Sequence, residues 1–389
     1  MTPTSMSSGT ADPTQRTGKT PPAPVSLRLD GRALPVVGTA RVYTCGITPY
    51  DVTHLGHAAT FVWADVLTSV LQSTGVDVHA CRNITDVDDV LTTAARERGR
   101  YYDEFALAQE AVFDQSMRAL RVATPAACPR ARHHVDAVQQ LAQGLLDAGA
   151  AYERDRTVWF RGAHVVGQAG LDPERARALS TAFGDEPDSA DKDHPFDVAV
   201  WRPSTEEHPA WPSPWGWGRP GWHAECAAMA LNVQGSSVDV LVGGDDLVFP
   251  HHAYQAAMVE ALTGVTPFAR SLLHVGEVRL DGEKMAKSTG NLVLVDDVLH
   301  TCTPAALRTL IVDRDHREPW SFETADLHGA EARLERLYAA AGRGGATPAA
   351  VAAATAPLLD GLDVRTALDV AESEGGEAAR RVVQLLRLG

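Results

Sequence analysis

The chain has 389 residues, of which 44% are hydrophobic, and a formal net charge of −15. This length allows about two or three domains with a sizeable core, and the acidic balance disfavours a broad nucleic-acid surface. No apolar run is long enough to span a bilayer, which excludes a membrane-spanning helix.

The N-terminus and the cysteines indicate the compartment. Residues 1–25 are rich in Thr, Ser and Pro and lack an apolar segment, so we interpret them as a disordered leader and not as a secretion signal. The five cysteines are odd in number and widely spread, which favours a reducing cytoplasm over a disulfide framework.

The first predicted elements open a parallel α/β sheet. Residues 40–45 predict a short buried strand, and apolar residues recur at helical spacing from His57 onward. The segment "GVDVHACRNI" then alternates like a second strand. A strand, a helix and a second strand in this order are typical of such a sheet.

A long insertion is expected to follow. Residues 90–151 are predicted to be helical, "AYERDRTVWFRG" predicts a pair of strands, and residues 167–195 are predicted to be rich in loops. The sheet is expected to resume at "FDVAVW". Further strands are predicted in "SVDVLVGG" and "LLHVGEVRLDG", and "GRGGATPAAVAAATAP" is predicted to be a flexible joint in a helical tail.

Two polar motifs stand out against this background. His54 and His57 bracket Leu-Gly at the predicted helix start, where unpaired N–H groups and two imidazoles could bind a polyphosphate. Lys284 and Lys287, two of only four lysines, lie in a loop where mobile ammonium groups could follow charge on a phosphate. Taken alone, the first motif favours ordinary loop histidines, and the second fits a solvated loop equally well.

Together, the motifs resemble the paired H-I-G-H and K-M-S-K-S signatures of class I aminoacyl-tRNA synthetases, in the same order and more than 200 residues apart. The segments "CGIT", "NITDVDD", "WPSPWG", "GRPGWHAEC" and "GGDDLVFPHH" are similar to those of cysteinyl-tRNA synthetase and its shorter relative, the mycothiol-pathway ligase. This resemblance covers about residues 40–330. It implies an α/β fold with a Rossmann-like catalytic domain, an inserted mainly helical subdomain and a C-terminal helical domain.

The same resemblance implies a division of the chain into six segments. They are the leader (1–25), the first half of the catalytic domain (26–90), the inserted connective subdomain (91–200), the second half of the catalytic domain (201–275), the K-M-S-K-S loop with a stem-contact-like region (276–325), and the C-terminal helical domain (326–389).

Three dispersed residues have side chains that suit zinc. Cys45, Cys226 and His251 offer thiolate and imidazole ligands, although their spacing is not that of a zinc finger and a lone cysteine is usually a small buried hydrophobe. The resemblance implies that they hold one Zn²⁺ and leave a fourth position for the thiolate of a substrate cysteine. Such a bond would reject serine, whereas pocket size discriminates a methylene group by only about 1–3 kcal/mol.

The resemblance assigns roles to further residues. A catalytic role is implied for His54, His57, Lys284 and Lys287, with Mg²⁺ accompanying ATP. Contacts with ATP or the adenylate are implied for Thr60, Gly244, Asp245, Asp246 and Val278, and contacts with cysteine for Thr48, Asn83, Thr85 and Trp222. Thr60 could instead lie on a buried helix face, and Trp222 could be a core residue.

Three features favour the ligase over the synthetase. Gln255 stands where the synthetases have a zinc-binding Glu, the opening "CGITPYD" looks like the ligases, and only 101 residues follow Ser288. The chain departs from the ligases at Ala182 and Phe183, where Glu-Arg is typical.

The leading hypothesis is a ligase that activates L-cysteine with ATP and transfers it to the amine of glucosaminyl-inositol. We expect a cytoplasmic monomer that uses neither a membrane nor nucleic acid. A cysteinyl-tRNA synthetase-like enzyme that charges tRNA or another amine acceptor, and a non-catalytic binding protein, remain as alternatives.

Overall fold

A computed structural model describes residues 26–50, 53–285, 290–345 and 347–389. The predicted leader and Lys287 lie outside these residues. Within the described ranges, no helix combines the length and the apolar character needed to cross a lipid bilayer.

The described chain contains both helices and strands. The first part contains β1 (Arg28–Leu29), β2 (Arg32–Ala33), β3 (Ala40–Ile47), α1 (Leu55–Ser73), β4 (Val78–Ile84), α2 (Asp89–Glu97), α3 (Tyr102–Ala119) and α4 (Val135–Asp147). The middle part contains β5 (Ala151–Arg154), β6 (Thr157–Phe160), α5 (Ala163–Gln168), α6 (Pro173–Ala182), β7 (Val198–Pro203), β8 (Gly218–Pro220), α7 (Trp222–Gln234), β9 (Val238–Gly244), α8 (Ala253–Thr263) and β10 (Ala269–Val275). The last part contains β11 (Val278–Leu280), β12 (Glu283–Lys284), α9 (Val295–Leu299), α10 (Pro304–Val312), β13 (Trp320–Phe322), α11 (Thr324–Ala341), α12 (Pro348–Leu359), α13 (Val364–Glu374) and α14 (Gly376–Leu385).

Four parallel strands form the central sheet, in the order β10–β9–β3–β4. Successive residues of β3 point into different cores: Val42 packs in the core that includes α1, and Tyr43 packs in the core that includes α7. The strand is buried on both faces, as is typical of an inner strand of a parallel sheet.

The strand order reverses between β3 and β9. From β3 the chain crosses through α1 to β4 on one side, whereas β9 and then β10 are added on the other side. Ligands of open α/β sheets bind outside the carboxyl ends of the strands at such a switch point. The fold therefore predicts a ligand-binding site at the residues that follow β3 and β9.

The expectation that the central sheet resumes at "FDVAVW" is wrong. This strand, β7, pairs with β6 and β8 in a separate antiparallel sheet of order β5–β6–β7–β8. Val198, Val200 and Trp201 are all buried, so the continuous apolar run did not reveal which sheet the strand joins. The predicted pair in "AYERDRTVWFRG" does form the hairpin β5–β6. The limits of the inserted subdomain stay a prediction.

Two predicted irregular segments contain helices. The segment expected to be loop-rich contains α6. Its N-cap is Asp172, whose carboxylate accepts from the backbone N–H of Arg175, and Pro173 lies in the first turn. In the predicted flexible joint, α12 begins at Thr347, whose hydroxyl accepts from the N–H of Ala350. Alanine-rich composition and tertiary packing against α13 and α14 favour this second helix. The prediction of a joint is wrong over residues 348–357, which belong to α12.

A buried ion pair fixes α1 against the C-terminal helices. The guanidinium of Arg308 in α10 is fully buried and pairs with Asp65 of α1. It also donates to the carbonyls of Leu120, at 2.9 Å, and Leu386, at 2.6 Å. Arg387 lies 3.2 Å from the same carboxylate. Each buried charge therefore has several partners, as a stable buried pair requires.

We expect Arg308→Met to lower the free energy of unfolding by about 3 kcal/mol, because Asp65 would lose its buried partner and keep Arg387 as its charged partner, beside the backbone N–H of Ala123. Urea unfolding measures the loss. The control is Arg177→Met, which removes an exposed pair with Asp188 and should change stability by less than about 1 kcal/mol. Equal losses in the two variants would contradict the importance of the buried pair.

Candidate active site

A cleft of about 350 Å³ opens at the carboxyl ends of β3 and β9. Its walls come from the turn between β3 and α1, the end of β4, the start of α7, the segment after β9 and the strand β11. All predicted site residues except Lys287 line it. Lys287 lies outside the described residues. The structure thus brings the predicted residues together, and what each does to a ligand stays a prediction.

Two thiols and an imidazole meet at the inner end of the cleft. Cys45 lies near the end of β3, Cys226 in α7 and His251 in the turn before α8, and all three are buried. Their ligand atoms lie within 4.8 Å of one another. Bonds of about 2.0–2.3 Å to a single ion keep ligand atoms within about 4–5 Å, so this group could hold a metal ion and its donor types suit zinc.

Amide side chains surround the two thiols. The Cys45 thiol donates to Gln255 Oε1 at 3.4 Å, and Gln255 Nε2 donates to the carbonyl of Cys226 at 3.4 Å. Asn83 Nδ2 lies 3.2 Å from the Cys226 sulfur. Burial raises the pKa of the Cys226 thiol, whereas a bound cation would favour the thiolate. Gln255 therefore contacts Cys45, one of the three candidate ligands, through a hydrogen bond. It does not add a carboxylate ligand to the group, as a Glu at this position could.

Close approach of β3 and β4 shapes this end of the cleft. The backbone N–H of Gly46 donates to Asn83 Oδ1 at 2.9 Å. A Cβ atom at position 46 would lie 1.7 Å from the carbonyl oxygen of Asn83. Only glycine therefore allows Cys45 and Asn83 to face the cleft from adjacent strands.

Aromatic rings pack beside the thiols. The ring of Trp222 stacks on His251, with centroids 3.9 Å apart. Nδ1 of His251 lies 2.9 Å from Nδ1 of His223, so a metal ion would bind His251 through its other nitrogen, Nε2. Burial lowers the pKa of His223 to about 3 and lowers that of His251, which favours neutral rings. The predicted pocket residues Thr48 and Thr85 share a hydroxyl hydrogen bond of 2.8 Å nearby.

The start of α1 forms the middle of the cleft. His54 is the N-cap residue, and its Nδ1 accepts from the N–H of Gly56 at 3.1 Å, so a neutral ring carries its proton on Nε2. The His57 ring lies 3.9 Å from that of His54, and burial lowers the pKa of His57 to about 4. Thr60 donates to the carbonyl of Gly56 at 3.4 Å. The helix begins at Leu55, slightly before the predicted start.

The opposite end of the cleft is charged. Lys284 Nζ lies 3.2 Å from Asp246 Oδ2 and 3.6 Å from Glu277 Oε2. Burial acts to lower the pKa of Lys284, but the two carboxylates prevail and raise it, so the ammonium stays charged. Gly244 lines the same wall, and a Cβ atom at this position would lie 2.6 Å from Asp246 Oδ1. Asp245 and Val278 complete this wall.

Sequence reasoning missed several residues of the cleft. Tyr50, Phe183 and Glu277 line it but were not among the predicted site residues. His223 was missed beside the predicted metal ligands, although it lies three residues before Cys226 in a segment already singled out. Glu277 offered a weak signal, since it is a charged residue between two apolar strands. Phe183 stood out only as a departure from the ligases, and nothing in the sequence indicated that its ring lines the cleft.

Comparisons with known proteins agree with this arrangement. The family described as "tRNA synthetases class I (C) catalytic domain" matches residues 35–332. The chain also resembles the solved structure of Mycobacterium tuberculosis methionyl-tRNA synthetase in complex with methionyl-adenylate, with a TM-score of 0.61 and 18% identity over 90% of this chain and 82% of that one. The catalytic fold is that of a class I synthetase, with a Rossmann-like parallel sheet, as predicted.

Curated relatives share a name that is more specific than that of the synthetase family. Proteins from Streptosporangium roseum and Rhodococcus erythropolis are both named L-cysteine:1D-myo-inositol 2-amino-2-deoxy-alpha-D-glucopyranoside ligase. The first is 40% identical over 89% of this chain and 88% of its own length, and the second is 40% identical over 94% and 91%. The chain belongs to this family of ligases, which confirms the predicted enzyme class.

Gly46→Ala should lower the free energy of unfolding by about 3 kcal/mol and reduce bound metal, because the added methyl group must push β3 away from β4 beside Cys45. Thermal unfolding and metal content of the purified protein measure both effects. In the control Gly167→Ala, the new methyl group meets no atom within 4 Å at an exposed position of α5, and stability should rise by about 0.5 kcal/mol. A Gly46→Ala protein with normal stability and metal content would contradict the steric argument.

Proposed function

We propose that this chain is an ATP-dependent ligase that activates L-cysteine as cysteinyl-adenylate and joins it to the amine of glucosaminyl-inositol. The observation that carries the proposal is the convergence of Cys45, Cys226 and His251 in the same cleft as the α1 start. One end of this cleft suits a thiol, and the middle suits phosphate groups. The name shared by the curated relatives supports the same substrates.

The amino-acid substrate would lie at the inner end of the cleft. Cys45, Cys226 and His251 would hold a zinc ion, which supplies a coordination position that prefers a thiolate to a hydroxyl. Asn83 Nδ2, which lies 3.2 Å from the Cys226 sulfur, can donate to a thiolate as well as to a thiol, and Gln255 Nε2 donates to the carbonyl of Cys226. Selection of cysteine over serine therefore rests on the chemistry of sulfur more than on pocket size.

The nucleotide would lie along the α1 start and the charged wall. In the first half-reaction, a carboxylate oxygen of cysteine attacks the α-phosphorus of ATP, and the bond to the leaving pyrophosphate breaks. His54, through the proton on Nε2, can donate to a phosphate oxygen, and the positive end of the α1 dipole would stabilise the charge of that group. Lys284 would exchange its carboxylate partners for phosphate charge, and Asp246 would then accept from the ribose hydroxyls. Mg²⁺ would accompany ATP.

The second half-reaction forms the amide. The neutral amine of the sugar attacks the carbonyl carbon of the adenylate, the bond to AMP breaks, and the amine proton passes to solvent or to the departing phosphate. Because burial keeps His57 neutral at pH 7, this residue can act as a hydrogen-bond donor or acceptor without adding charge beside the nucleotide.

The proposal is tested by amino-acid-dependent pyrophosphate exchange with ATP, followed by mass analysis of incubations with glucosaminyl-inositol or with tRNA. We expect exchange with cysteine, at least 100-fold less with serine, and an adduct on the amino-sugar alone. Exchange with cysteine and transfer only to tRNA would overturn the acceptor. No cysteine-dependent exchange would overturn the adenylation chemistry.

Cys226→Ala should abolish stoichiometric zinc binding, because one of the three ligand atoms in the buried group is removed. Zinc is measured by atomic absorption in protein purified without chelators. Cys128→Ala is the control, since Cys128 is exposed and lies outside the cleft, and it should retain full zinc. Full zinc content in Cys226→Ala would show that the ligand set is wrong.

A further inference from the structure

Phe183 places an aromatic ring in the cleft from outside the central sheet. It follows the last residue of α6, and its ring stacks on Trp222 with centroids 5.8 Å apart and an interplanar angle of 16°. Trp222 in turn stacks on His251, one of the three metal-ligand candidates. Phe183, Trp222 and His251 therefore form a continuous row of rings that leads away from the thiols.

The backbone on both sides of Phe183 is anchored. Helix α6 packs against segment 248–252, which contains His251. After Phe183, Asp185 pairs with Lys192 at 2.7 Å, and the Lys192 side chain is only 2% exposed. The ammonium of Lys192 also lies 5.3 Å from the ring centroid of Trp159. These contacts on both sides support a fixed position for the Phe183 ring, as expected for part of the pocket wall.

Selection by side-chain length requires a pocket wall, because a metal ion distinguishes sulfur from oxygen but does not measure how long the side chain is. L-Cysteine and L-homocysteine both present a thiolate, and a zinc ion would bind either sulfur. The two differ by one methylene group, which packing against protein atoms can detect. A well-fitted wall discriminates one methylene group by about 10- to 200-fold.

We propose that Phe183 is a specificity-determining residue that, with Trp222, limits the length of the amino-acid side chain. The inference rests on the proposed function and extends it to a choice between two thiols. Phe183 lines the cleft and stacks on the ring of Trp222, which in turn stacks on His251, so it limits the space beside Trp222 and supports the position of that ring. Shortening Phe183 would open this space without removing any of the metal ligands.

The test measures binding and turnover of L-cysteine and L-homocysteine by the full zinc-loaded chain. Isothermal titration calorimetry gives the two dissociation constants without ATP, and pyrophosphate exchange gives kcat/KM for each amino acid. For Phe183→Ala, we expect the preference for cysteine to fall about tenfold by both measures, with an unchanged KM for ATP. Phe183→Leu retains most of the side-chain volume and should retain most of the preference.

Thr181→Ala is the matched control, because Thr181 is exposed, lies two residues away and does not line the cleft. It should bind both amino acids as the wild type does. Zinc content and thermal unfolding show whether each variant is intact. If Phe183→Ala loses the fold, Phe183→Leu and Phe183→Val carry the test through a graded loss of preference with side-chain volume.

The outcomes separate this inference from the function on which it rests. A wild-type chain that binds neither thiol and shows no exchange overturns the proposed function, and this inference with it. A wild-type chain that prefers cysteine, with an intact Phe183→Ala variant that keeps the same preference, overturns only the role of Phe183. An equal loss of affinity for both thiols also overturns it, since that result indicates support of the pocket without selection for length.

Discussion

The structure depends on bringing three buried polar side chains together from distant parts of the chain. Cys45, Cys226 and His251 come from a strand, a helix and a turn, and their ligand atoms meet within 4.8 Å. Buried thiols and imidazoles without partners would be costly, so the surrounding amides and rings must be placed as carefully as the ligands. The positions of Asn83, Gln255, His223 and Trp222 follow from this requirement.

Parallel topology explains why the thiol group and the helix start share one cleft. Strand β3 delivers Cys45 at its carboxyl end and continues almost at once into the turn that starts α1. Because the strand order reverses beside β3, no crossover helix among the described residues covers this edge of the sheet. A sulfur-binding region and a phosphate-binding region can therefore lie on one short stretch of chain.

Local patterns predicted much of this arrangement. The strand around Val42, the helix after His54 and the strand that carries Asn83 were visible as periodic apolar residues, and the structure confirms them. The sequence did not indicate which sheet β7 joins, because an apolar run that is buried on both faces has the same pattern in either sheet. The helices α6 and α12 were hidden by proline and glycine in or beside their segments, although Asp172 and Thr347 are ordinary caps.

The residues of the candidate site also fall into a group that the sequence predicted and a group that it did not. The resemblance supplied the residues of recognised motifs, and the structure places all that it describes around one cleft. It could not supply Phe183 or Glu277, because their position depends on how separate segments pack and not on a local signature. Residues that act through tertiary position are therefore the part of such a site that sequence patterns convey least.

The buried contact between Arg308 and Asp65 also has a practical consequence. The carbonyl of Leu386 and the guanidinium of Arg387 belong to the same cluster, which holds α1, the helix whose first turn lines the cleft. Residues that look peripheral are thus part of the scaffold for catalysis. Expression designs that trim α14, or attach a rigid fusion directly to it, would disturb α1 at its middle and, through that helix, the wall of the cleft.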